Sequence, residues 1–114
     1  MINLLFICGR NQWRSPTAEK ICSKYPNINV RSAGTRDNAR KTVTFNDIQW
    51  ADIIMVMEQK HKSELQSKFT LNNKTIYVLD ITDNYRYMDP ELISELHACV
   101  FPLLEIEGIE QAIK

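Results

Sequence analysis

Cys8 and Arg14 stand at the two ends of the stretch Cys-Gly-Arg-Asn-Gln-Trp-Arg, and Ser15-Pro16 follow directly. A cysteine thiolate is a strong nucleophile. An arginine offers a planar fork of donors that matches two phosphate oxygens. The pair therefore suggests a nucleophile held beside an anion. The bare spacing is weak evidence, since any cysteine and arginine can fall at this separation by chance.

The surroundings carry more weight. Cys8 closes a nearly continuous apolar run, Ile2 to Ile7. Ser15-Pro16 then opens a helix-like stretch, with Ser15 expected as N-cap and Pro16 as the first helical residue. The loop from Gly9 to Arg14 is thus pinned between a strand end and a helix N-terminus. Successive backbone N–H groups can converge there, and the helix dipole favours negative charge. Such a site favours a thiolate over a thiol. Asn11 tolerates the left-handed backbone that a tight cradle needs. The plainer alternative is an ordinary connecting loop with a buried Cys8 and a solvated Arg14.

The elements that must position this loop alternate in type. Apolar runs at Ile2–Ile7, Ile53–Met57 and Thr75–Leu79 suit buried strands, while Ile28–Ala33 alternates and suits an edge strand. Between them, Ala18, Ile21, Cys22 and Tyr25 make a helical stripe. Thr44 and Asp47 have capping-box spacing, and His61, Leu65 and Phe69 share one face of the next stretch. Asp89-Pro90 opens a last helix striped by Leu92, Leu96, Cys99, Val100 and Leu103. Pro102 is expected to kink or interrupt it. This alternation predicts an α/β fold, a flavodoxin-like three-layer sandwich with a four-stranded parallel sheet in the order 2-1-3-4. Ligands in such sheets sit outside the carboxyl ends of the strands, where Cys8 lies.

The 114 residues fit one domain spanning 1–114, and the composition, 44% apolar and 25% charged with zero net charge, is ordinary for a globular protein. There is no basic block to track nucleic acid and no apolar run long enough to span a bilayer. The opening Met1-Ile2-Asn3-Leu4 lacks a charged leader, so the expected location is cytoplasmic. Three cysteines without a C-x-x-C pair argue against a disulfide framework and against a zinc site. Cys22 and Cys99 read as buried small hydrophobes. His61 and His97 are lone helical histidines, better suited to surface or core filling than to ligation.

The stretch Cys8 to Pro16 resembles the phosphate-binding loop of the low-molecular-weight protein tyrosine phosphatases: Cys, five residues, Arg-Ser-Pro. "RSAGT" (31–35) resembles that family's second strand and turn, and "ADIIMVME" (51–58) its third strand. "ITDNY" (81–85) resembles the loop carrying its acid, and "MDPELI" its last helix. The resemblance runs along nearly the whole chain and is greatest to a short bacterial branch of predicted phosphatases. Three departures stand out: Trp13 where a second loop cysteine is common, Asn84 where the acid loop usually has proline, and a shorter 36–43 segment that leaves one wall of the pocket in question.

The resemblance implies a metal-independent phosphomonoester hydrolase, a protein tyrosine phosphatase, with no cofactor. Its implied substrate is a phosphotyrosine protein or small aryl phosphate, with no nucleic acid or membrane partner. Cys8 would form a phosphocysteine intermediate, and Arg14 with the Gly9, Arg10, Asn11, Gln12 and Trp13 amides would hold the equatorial oxygens. Ser15 would assist the sulfur, Asn11 would hold the loop, and Asp83 would act as general acid and then base. Trp13 could stack on an aromatic substrate, and Tyr85 and Tyr87 could flank the pocket. Three alternatives remain at this stage. A thioredoxin-coupled arsenate reductase needs two late cysteines, where only Cys99 is late. An enzyme IIB-type phosphocysteine carrier lacks the arginine at this spacing. A phosphate or phosphotyrosine binder with little turnover would keep all the same residues.

Overall fold

A computed structural model describes residues 1–71 and 73–109. The chain runs β1 (Ile2–Cys8), α1 (Arg14–Cys22), β2 (Ile28–Gly34), α2 (Phe45–Trp50), β3 (Ile53–Val56), α3 (Gln59–Lys68), β4 (Thr75–Val78) and α4 (Pro90–Ile106). The strands form one parallel sheet in the order β2-β1-β3-β4. This is the topology that the alternating pattern predicts, with the half-polar second strand at an edge.

Strand periodicity divides the core in two. Leu4, Phe6 and Cys8 of β1 face one layer, where they pack with Ala18, Ile21 and Cys22 of α1 and Leu92, Leu96, Val100 and Leu104 of α4. Leu5 and Ile7 face the other layer, with Ile48 of α2 and Leu65 of α3. The central strand is therefore apolar on both faces because both faces are covered. Cys8 points toward the α1 and α4 layer, so α1 lies close enough to shape its surroundings.

Two helix ends follow the sequence and two differ from it. Thr44 caps α2, with its hydroxyl accepting from the Asp47 N–H and the Asp47 carboxylate accepting from the Thr44 N–H. Asp89 caps α4 by accepting from the Glu91 N–H at 2.8 Å. Ser15, in contrast, is not an N-cap. Helix α1 already begins at Arg14, and its N-cap position is Trp13, without a side-chain cap bond. The Ser15 hydroxyl is engaged elsewhere, beside Cys8. Helix α4 also does not end at Pro102 but continues to Ile106. Leu104 on the far side of Pro102 is fully buried, and burial of that turn offsets the one backbone bond that proline cannot make.

The short segment after β2 folds back on the sheet edge. Gly34 N–H donates to Lys41 O, and Val43 N–H donates to Gly34 O. The same segment holds the loop after β1: Arg36 N–H donates to Gly9 O, Arg40 N–H to Arg10 O and Arg40 Nε to Asn11 O. Gly34 is required by this close approach. A side-chain carbon there would fall 2.5 Å from Gly9 O and 2.7 Å from Ala39 Cβ.

Candidate active site

The loop between β1 and α1 wraps the Cys8 sulfur. Cys8 is buried, and its Sγ lies 3.0 Å from Ser15 Oγ and 3.2 Å from the Asn11 nitrogen, whose N–H donates to it. Asn11 takes a left-handed backbone, φ 54°, the conformation its residue type tolerates. It is fully buried, and its Nδ2 donates to both Ser15 Oγ and Ser32 Oγ at 2.9 Å. Ser32 in turn donates to Glu19 Oε1. A thiolate carries no proton, so toward it Ser15 can only donate. The Asn11 amide, by filling one acceptor position on Ser15 Oγ, suits that orientation. The result is a buried sulfur that accepts the Asn11 N–H and meets the Ser15 hydroxyl, at the N-terminus of α1.

Arg14 is 4% exposed and held by residues that follow β3 and β4. Its Nη1 donates to Glu58 Oε2 at 2.5 Å and to Ile81 O at 2.7 Å. Its Nε lies 3.6 Å from Asp83 Oδ1. Glu58 follows β3, and Ile81 and Asp83 follow β4, so the guanidinium plane is set by residues far away in sequence. The hydrogen bond from Arg14 holds the Glu58 carboxyl below the usual carboxylate range, against a smaller opposing effect of burial.

A cavity of about 240 Å³ opens over this loop, lined by Gly9, Arg10, Gln12, Trp13, Arg14, Arg36, Lys60, His61, Glu64 and Asp83. Of the residues singled out by sequence, Gly9, Arg10, Gln12, Trp13, Arg14 and Asp83 share this lining, whereas Cys8, Asn11 and Ser15 are buried and outside it. Trp13 lines the cavity with the Arg86 guanidinium 5.9 Å from its ring centroid. Tyr85 lies outside the lining: its hydroxyl donates to Glu95 Oε2 at 2.5 Å, and the ring packs on the α4 side of the core. That bond pushes the Tyr85 hydroxyl up to about 12. Tyr87 lies half-exposed in a separate groove with Gln12 and Arg40. The wall that the shortened 36–43 segment left in question is supplied in part by Arg36.

Sequence reasoning missed Glu58, Arg36, Lys60 and Glu64, and treated His61 as filler. His61 is fully buried and lines the cavity. Its Nδ1 accepts from the Glu58 N–H at 3.0 Å, while its Nε2 is buried without a partner. Burial, and next the Arg14 charge, lower its pKa to about 4. One signal was available: Glu58 to His61 directly follow β3, at the carboxyl edge where parallel sheets place ligands.

The other two thiols stand apart from this cavity. Cys22 is fully buried, and desolvation pushes it up to about 12. Cys99 is half-buried on α4, raised chiefly by burial, and its Sγ faces Leu79 O at 3.8 Å. No helix among the described residues is long and apolar enough to cross a membrane.

No protein-family model matches the chain, and no curated protein sequence matches it significantly. Solved structures do. SP-PTP, a low molecular weight protein tyrosine phosphatase from Streptococcus pyogenes, superposes with a TM-score of 0.73 at 18% identity, over 93% of each chain. A YwlE mutant from Bacillus subtilis superposes at 0.71 with 22% identity, over 95% of this chain and 99% of that one. The YwlE arginine phosphatase from Geobacillus stearothermophilus gives 0.71 at 17% identity over the whole of both chains. The chain therefore has the fold of the low-molecular-weight protein tyrosine phosphatases, as the sequence resemblance implied.

Proposed function

We propose that this protein is a phosphomonoester hydrolase acting on phosphotyrosine or related aryl phosphates through a phosphocysteine at Cys8. The observation that carries the reading is the buried Cys8 sulfur, with the Ser15 hydroxyl at 3.0 Å and the Asn11 nitrogen at 3.2 Å, in a loop whose next residues, Gly9 to Arg14, share a cavity lining with Asp83 through Gly9, Arg10, Gln12, Trp13 and Arg14. The solved structures of this fold support it by their described activities, tyrosine and arginine phosphatase. One of them is a cysteine-to-serine YwlE mutant with a phosphorylated active-site serine.

The chemistry follows from the geometry. The Cys8 thiolate attacks phosphorus, forming the S–P bond as the P–O bond to the leaving group breaks. Arg14 and the amides of Gly9 to Arg14 hold the equatorial oxygens, on which charge spreads. Asp83 gives its proton to the departing oxygen and, as a carboxylate, takes one from the water that attacks the phosphocysteine. Ser15 donates to the sulfur as it leaves again as thiolate. Arg14 and the loop supply the positive field, so the proposed reaction needs no metal. Cys22 is fully buried on α1 and Cys99 lies on α4 with its Sγ toward Leu79 O, which weighs against a disulfide relay. Free thiols fit a reducing compartment, and we place the protein in the cytoplasm.

The test is hydrolysis of phenyl phosphate and a phosphotyrosyl peptide, with phosphoarginine in parallel. Activity should persist in the presence of a chelator. Cys8→Ser should abolish turnover and still bind phosphate. An active Cys8→Ser protein would sink the thiolate mechanism, and turnover of phosphoarginine alone would replace the substrate class.

A further inference from the structure

Several donors of the cavity are left over once the phosphoryl group is accounted for. Loop amides, the α1 N-terminus and Arg14 face that group. Arg10, Arg36 and Lys60 line the same cavity, are exposed, and have no ion-pair partner among the described residues. His61 supplies a further donor. Since its Nδ1 accepts the Glu58 N–H, the neutral ring carries its proton on Nε2, and this buried N–H has no partner. Low basicity keeps the ring neutral and the tautomer fixed near neutral pH.

Arg36 and His61 converge beside the first residue of the loop. A side-chain carbon on Gly9 would lie 3.7 Å from His61 Nε2 and 3.6 Å from Arg36 Nε. The facing carboxylates are already engaged. Glu58 is bound by Arg14, Glu64 Oε1 accepts from the Thr35 hydroxyl at 2.7 Å, and Asp83 sits 3.6 Å from Arg14 Nε. An incoming anion would therefore meet the unpaired cations Arg36 and Lys60, with Arg10 across the same lining, and a buried neutral donor.

We propose that the wall formed by Arg36, Lys60 and the His61 Nε2–H reads a second anionic group on the substrate, a carboxylate side chain beside the phosphorylated residue. This rests on the phosphatase reading of the Cys8 loop. It makes the preferred substrate an acidic phosphopeptide and a small aryl phosphate an incomplete one. Charge pairs at such a rim steer and select more than they anchor.

The experiment compares a phosphotyrosyl peptide flanked by glutamate with its lysine-flanked counterpart. The glutamate peptide should be favoured about tenfold in kcat/KM, mostly through KM, and less so as salt rises. Arg36→Ala and Lys60→Ala, both at exposed positions, should bring that ratio toward one. His61→Gln tests the buried donor. A wild-type ratio near one overturns the inference and leaves the phosphatase reading intact. So does a loss in Arg36→Ala that falls equally on both peptides and phenyl phosphate, since the cations would then only add to the phosphoryl field. Calorimetry on the Cys8→Ser protein separates the two readings. A glutamate-peptide preference in binding, with no turnover by the wild type, supports the second-anion wall and overturns the phosphatase. Equal binding of both peptides overturns the wall whatever the turnover.

Discussion

Arg14 and Glu58, 44 residues apart in sequence, meet in a 2.5 Å hydrogen-bonded ion pair. The contact uses Nη1, which also donates to Ile81 O, so the rest of the guanidinium edge stays oriented by the protein. A planar fork grips phosphate well only when its plane is held in advance. Glu58→Ala should therefore lower kcat with aryl phosphates by roughly ten- to a hundredfold through loss of positioning. Glu58→Gln should recover part of that loss by accepting the same bond. A kcat unchanged in both variants would show that Arg14 needs no such support.

The three thiols should separate cleanly. The Cys8 sulfur accepts the Asn11 N–H and lies 3.0 Å from Ser15 Oγ, whereas burial pushes Cys22 up to about 12 and raises Cys99. Iodoacetamide near neutral pH should label Cys8 first, and vanadate should protect it. Mass spectrometry of partial digests reads the order directly. Comparable early labelling of Cys22 would contradict the assignment.

We propose Asp83 as the acid that serves the leaving group, because it lines the cavity whereas Asp89 is engaged as the α4 cap. A general acid matters most when the leaving group is poor. Asp83→Asn should cost on the order of a hundredfold with phenyl phosphate and much less with a nitrophenyl ester. Equal losses on both esters would assign Asp83 a binding role instead.

His61 makes acid stability a test of its burial. Its folded pKa of about 4 lies below the ordinary value of 6.5, so between those values the unfolded chain binds the extra proton. The contribution is full above about pH 6.5 and is lost as pH falls toward 4, roughly 3 kcal/mol in all. Glu58, whose carboxyl is also lowered, loses its contribution at more acid pH, below its ordinary 4.5. Denaturant melts from pH 7 to 4 should show this slope in the wild type and not in His61→Asn. A parallel slope in both proteins would mean that His61 titrates normally.

The sheet, its strand order and the place of the loop were all legible in sequence, because each rests on local signals. Apolar runs at strand length, a half-polar edge strand and helix stripes leave few parallel topologies open. Asn11 could be read as left-handed for a similar reason, since residue type alone sets that tolerance. Contacts between distant segments were beyond such reasoning. Ser15 carries the residue type of a helix cap, but the fold brings its hydroxyl to the Cys8 sulfur instead. Pro102 carries a breaker signal, but burial of Leu104 holds the helix together beyond it. Glu58 and His61 look like the polar start of a surface helix. Only the adjacency of β3 to β1 makes one the partner of Arg14 and buries the other beside Gly9. Local sequence sets which backbone is cheap to form, whereas tertiary packing decides which side chains lose water and must find one another.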